Sequence, residues 1–126
     1  MKGIATMLRE TDVPKIEGRL VRFDTEGEVE GKCALGVISC EAGLPLGSDY
    51  QDHPTWEQIL RKAGVSSDIL DGAIPAVAPQ SFGDSGLEYV EFLSYYIINL
   101  NDNFKLTFNE IADWIETTFP EDDWAK

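Results

Sequence analysis

Thr107-Phe108-Asn109-Glu110-Ile111-Ala112-Asp113-Trp114-Ile115-Glu116 is the stretch whose reading decides the fold class. Thr107 and Glu110 have the spacing of a capping box, in which two side chains satisfy backbone N–H groups that open a helix. Leu106, just before it, can staple onto Ile111. Phe108, Ile111, Ala112 and Ile115 recur at helical spacing and predict a buried face. Glu110, Asp113 and Glu116 run at three-residue spacing along another face. Pro120 stops the helix, and residues 120–126 read as an acidic C-terminal tail containing Glu121, Asp122 and Asp123.

Upstream, Leu87, Val90, Leu93, Ile97 and Leu100 predict the longest helix over 87–100, capped by Asp84 or Ser85. Tyr89, Phe92, Tyr95 and Tyr96 widen its apolar arc. Thr55-Trp56-Glu57-Gln58 is a second capping box; its helix runs to Lys62 or Ala63 and is closed by Gly64. One further turn is expected around Ile69 and Leu70. Residues 72–86, rich in Gly, Pro, Ala and Ser, read as a long loop. Cys33 to Ala42 reads as a buried helix ended by Gly43, with a buried strand as the competing reading. Residues 1–10 form a short amphipathic helix.

Residues 19–23 and 28–32 alternate around the turn signal Asp24-Thr25-Glu26-Gly27 and predict a hairpin. Two strands are not stable alone in water, so the hairpin must lean on helices. The expected architecture is one domain, 1–126, of mainly α (α+β) class: a compact helical bundle with one small β-hairpin. Its predicted core is Leu35, Val37, Ile38, Leu60, Leu93, Ile97, Leu100, Phe108, Ile111 and Ile115.

The chain has 126 residues and a formal net charge of −13. Direct nucleic-acid binding needs Lys and Arg to neutralise phosphates, and docking on anionic lipid needs them too, so the charge argues against both. No apolar run approaches a membrane span. Met1 to Glu10 lacks the pattern of a signal peptide. On a helix, Cys33 and Cys40 would stand about 10 Å apart, too far for a disulfide. Reduced thiols and a cytoplasmic location follow as expectations.

Lys32-Cys33-Ala34-Leu35-Gly36-Val37, Asn99-Leu100-Asn101-Asp102 and Thr107 to Glu116 together resemble a group of small bacteriophage and prophage proteins. That group shows a Cys-x-Leu-Gly-Val helix, a Leu-Asn-Asp turn and a Phe-x-x-Ile-Ala-Asp helix. Here Ala34 stands where a second Cys is common, and the turn after Asp102 is longer and lacks the usual Gly. The resemblance spans about half the chain. It implies a phage-like origin and a shared fold, and it carries no activity.

Asn99, Asn101, Asn103 and Glu110 fall at calcium-loop positions 1, 3, 5 and 12, but Phe104 occupies the position that needs Gly. Capping and turning between two helices is the better reading. His53 reads as a loop or helix-entry residue, and Cys33 and Cys40 as core thiols. Gly83-Asp84-Ser85-Gly86 is a faint anion site, opposed by Asp84. No catalytic, metal or cofactor site is expected.

Residues 84–126 carry ten acidic side chains against two basic ones, and Asp24, Glu26, Glu28 and Glu30 cluster at the hairpin. Spaced carboxylates on a rigid helix can imitate phosphates; the alternative is a solvated face. The first functional expectation is therefore a non-enzymatic phage-type interaction protein in a bacterial host. It would bind and inhibit a basic, nucleic-acid-handling host or defence protein through Glu110, Asp113, Glu116, Glu121, Asp122 and Asp123. The alternative is a protein that sequesters a small ligand such as a signalling nucleotide. Its pocket would use the 72–86 loop, Trp56, Tyr89 and Tyr96, with Arg19 and Arg22 as further ligand residues; the negative charge counts against an anionic ligand unless Arg19, Arg22, Arg61 and Lys62 converge on one site. Trp114, Trp124 and the aromatic-rich long helix also suggest a homodimer.

Overall fold

The computed structural model describes residues 2–47, 53–71 and 92–126. In chain order these form α1 (Ile4–Glu10), β1 (Val21–Phe23), β2 (Val29–Lys32), α2 (Ala34–Glu41), α3 (Trp56–Lys62) and α4 (Ser67–Asp71). Then come α5 (Leu93–Asp102), α6 (Phe108–Thr118) and a 3₁₀ turn at Asp123–Ala125. The architecture is the mainly helical bundle with one small antiparallel hairpin that the hydrophobic pattern predicts. Among the described residues, no helix is long and apolar enough to cross a membrane.

Both capping boxes form. Glu110 N donates to Thr107 Oγ1 at 3.2 Å while Thr107 N donates to Glu110 Oε1 at 3.0 Å. The same exchange joins Thr55 and Gln58 at 3.1 and 2.8 Å. Gly43 and Gly64 follow α2 and α3 with φ of +94° and +95°, the left-handed stop that favours glycine.

α1 packs chiefly along α6 and also on α2; α2 touches α3 and α5, and α5 lies against α6. The predicted core is buried throughout except at Phe108, which is half-buried at the opening of α6. Gly36 lets α2 approach the chain before β1: a Cβ there would lie 2.0 Å from the Leu20 carbonyl oxygen. β1 and β2 pair Val21 with Lys32 and Arg22 with Gly31, with a bulge before Phe23. Residues 14–16 lean on the far side of β2, Ile16 N donating to Lys32 O at 3.1 Å and Lys32 N to Pro14 O at 3.0 Å.

Three expectations are corrected. Phe92 is extended (φ −72°, ψ 151°), so the central helix starts at Leu93 and runs on to Asp102; residues 87–91 and the 72–86 loop lie outside the described residues. Asn101 and Asp102, expected to turn the chain between two helices, lie within that helix, as does Asn99. Finally, the chain beyond Pro120 docks instead of trailing as a tail. Ala125 is fully buried, the Trp124 ring lies 4.9 Å from Phe119, and Thr6 Oγ1 donates to the Lys126 carbonyl.

Candidate functional site

The periodicity of α5 gives it two working faces. Leu93, Tyr96, Ile97 and Leu100 point into the core, where Tyr96 stacks on Trp114 at 5.3 Å. Tyr95, Ile98 and Asp102, spaced by three and four residues, form a second stripe. That stripe is one wall of a cavity of about 830 Å³. This is within the size range of small-molecule sites.

The start of α3 supplies the opposite wall through Thr55, Trp56 and Glu57, and α4 closes one end with Leu70 and Asp71. Gly18, Arg19 and Leu20, ahead of β1, and Cys33, ahead of α2, also line it. The capping box at Thr55 fixes where Trp56 leaves the backbone, so the Trp56 ring is placed by local chemistry. It meets Tyr95 edge to face, with centroids 5.3 Å apart and planes at 87°. Phe92 lies 6.3 Å from Tyr95. Phe92 and Tyr95, both lining residues, are 44% and 48% exposed.

The charges of the lining are mostly negative. Glu57 accepts from Arg61 at 2.6 Å, and Asp71 lies 4.0 Å from the same guanidinium, which ties α3 to α4 from outside the cavity. Hydrogen bonding to Glu57 is the main reason the Arg61 pKa is raised. Asp102 accepts from Asn101 Nδ2 at 2.8 Å and joins no ion pair among the described residues. Arg19, which is exposed, is the one Lys or Arg lining the cavity among the described residues. His53 is half-buried and donates from Nε2 to the Gly47 carbonyl at 2.8 Å, the helix-entry role expected of it. Burial pushes the Cys33 thiol up to about 11, against backbone N–H groups of Gly36 and Leu35 that favour the thiolate. A protonated, buried thiol is a poor nucleophile.

Of the predicted ligand residues, Trp56 and Arg19 reach the cavity. Tyr96 does not: it is fully buried, because its face of α5 is the core face. Arg22 is held by Glu30 at 2.7 Å on the hairpin, and Arg61 by Glu57, so the expected convergence of basic side chains does not form. Tyr89 lies outside the described residues, as do Gly83 to Gly86. Sequence reasoning missed Tyr95 and Asp102 as site residues. Their spacing with Ile98 was the available signal, but it sat beside a stronger apolar stripe that absorbed Tyr95.

The acidic face of α6 is engaged within the fold. Glu110 completes the capping box. Arg9 of α1 reaches across to donate from Nη2 to Asp113 and from Nη1 to Glu116, and these bonds raise its own pKa. At the hairpin, Asp24 Oδ1 accepts from Glu26 N at 2.8 Å and Glu28 N at 2.9 Å. Glu121 and Asp123 are exposed, Asp122 is half-buried, and none of the three joins an ion pair among the described residues. Trp114, Phe119 and Trp124 pack against one another, so the two C-terminal tryptophans serve the fold of this chain.

Comparison of the chain with protein-family models, with curated proteins and with solved structures finds no match in any of the three.

Proposed function

We propose that this chain is a non-catalytic binding protein that takes a small ligand into the cavity between α3, α4 and α5. The observation that carries the reading is the cavity itself: about 830 Å³, lined by Trp56, Phe92, Tyr95, Ile98 and Leu70 together with Arg19 and three carboxylates. The inert state of Cys33, the thiol in its wall, supports binding rather than covalent chemistry. The test is a mixed fragment screen by ligand-observed NMR on the native protein and on Ser94→Trp, which fills the cavity from α5. Fragments that bind the native protein and are released by the substitution are expected. No binding fragment, or binding indifferent to Ser94→Trp, overturns the reading.

A second reading is favoured by the exposed carboxylates of Glu121 and Asp123, held on a docked turn. It is the phage-type acidic protein, acting in the bacterial cytoplasm, that inhibits a basic host or defence protein by imitating nucleic acid. Fixed surface charge steers a basic partner and weakens with salt. Because Arg9 and the capping box occupy Asp113, Glu116 and Glu110, the weight of this reading falls on residues 121–123. A partner captured from bacterial lysate at low salt should be lost at high salt and with Glu121, Asp122 and Asp123 all changed to Lys. Equal capture by that variant removes the reading.

A further inference from the structure

We infer that the ligand of this cavity is a small organic cation, an ammonium head on a compact apolar body. The inference rests on the small-ligand reading above and names its ligand class. Three independent features converge on it.

The first is aromatic. Trp56 and Tyr95 meet edge to face at 5.3 Å, with Phe92 beside Tyr95 at 6.3 Å, and two of these rings are about half exposed at the opening. Ring faces carry negative charge density, and such groups hold ammonium ions more strongly than neutral molecules of the same shape.

The second is the fixed charge. Among the described residues, Glu57, Asp71 and Asp102 line the cavity against the exposed Arg19. Arg61 offsets Glu57 closely and Asp71 loosely, at 2.6 and 4.0 Å. Asp102 accepts from the Asn101 amide and joins no ion pair among the described residues. It is also the last residue of α5, where the helix dipole adds further negative potential. An anionic ligand would meet no cluster of bases among the described lining residues, since Arg22 is held by Glu30 on the hairpin and Arg61 by Glu57.

The third is the whole-molecule field. A net charge of −13 raises the local concentration of cations and repels anions.

The experiment compares choline with its uncharged isostere 3,3-dimethylbutan-1-ol and with adenosine monophosphate. Binding is followed on the Trp56 indole N–H signal in ¹H–¹⁵N spectra. Choline should move that signal and bind about three- to tenfold tighter than the isostere, with the monophosphate weakest. Tyr95→Leu, at a half-exposed position, should weaken choline several-fold and leave the isostere less affected. Asp102→Asn should do the same.

Tighter binding of the isostere or of the monophosphate at Trp56 overturns the cation assignment and leaves the small-ligand reading standing. Choline binding untouched by both substitutions also overturns it. If none of the probes moves the Trp56 signal and the fragment screen is blank as well, both readings fall together.

Discussion

Asn101 Oδ1, near the end of α5, accepts the backbone N–H of Ala34 at 3.0 Å, the first residue of α2. Cys33 stands at the N-cap of α2 but its side chain makes no cap hydrogen bond, and Asn101, 67 positions beyond Ala34, supplies an acceptor instead. The same amide donates from Nδ2 to Ile16 O at 2.8 Å. One fully buried side chain therefore ties the segment ahead of the hairpin, the start of α2 and the end of α5. Cys33, just ahead of α2, and α5 both line the cavity, so this tie also bears on its shape.

Asn101→Ala should cost about 2–4 kcal/mol, because it leaves a buried donor and a buried acceptor unpaired. Asn101→Asp keeps the acceptor for Ala34 and loses the donor to Ile16. Urea unfolding of both variants checks the size. Calcium should leave the native melting temperature unchanged, since this amide faces protein groups.

Gly36→Ala should be among the most damaging small substitutions, at about 3 kcal/mol, because the new methyl must displace backbone rather than a side-chain tip. The check is again denaturant unfolding. Tolerance of alanine at Gly36 would mean that α2 sits further from Leu20 than described.

Lys105, in the turn between α5 and α6, has φ of +54° and is the one non-glycine residue with positive φ among the described residues. Lys105→Gly should raise stability by about 0.5–1 kcal/mol by releasing that strain, less the extra chain entropy glycine carries. A rise of a few degrees in Tm is the expected readout.

Arg9 grips Asp113 and Glu116 with its side chain about one-third exposed. Arg9→Ala should cost only about 0.5–1 kcal/mol, falling with added salt. A double-mutant cycle of Arg9 with Asp113 isolates the pair. If the acidic face of α6 does bind a basic partner, Arg9→Ala should strengthen that binding by freeing two carboxylates.

Cys33 should resist iodoacetamide at pH 8 in the native protein and react after unfolding, as read by peptide mass spectrometry. The folded state favours its protonated form. Its contribution to stability is therefore complete below the ordinary thiol value of 9.0 and is lost as pH rises through about 11. Stability of Cys33→Ser relative to the native chain, followed from pH 8 to 11, should show that dependence disappear.

The chain's local chemistry is legible without coordinates. Thr55 with Gln58 and Thr107 with Glu110 act across three residues, so the helix starts can be read directly. The core stripes follow from helical period, and the hairpin from two-residue alternation around a turn that Asp24 closes onto its own neighbours. What the sequence could not show is whom the distant side chains meet. The spacing of Asn99, Asn101 and Asn103 imitates an ion loop, and only packing turns Asn101 inward to Ala34 and Ile16. The row Glu110, Asp113 and Glu116 looks like a free acidic face until α1 brings Arg9 over it. Tyr95 and Tyr96 are adjacent in the chain, yet one lines the cavity and the other stacks on Trp114. Periodicity gives the rotation between neighbours but not which side of α5 the other helices cover. Capping energies are local and are written in adjacent letters. Ion pairs, buried amide ties and cavities arise from how the helices dock, and that is decided only when the whole core closes.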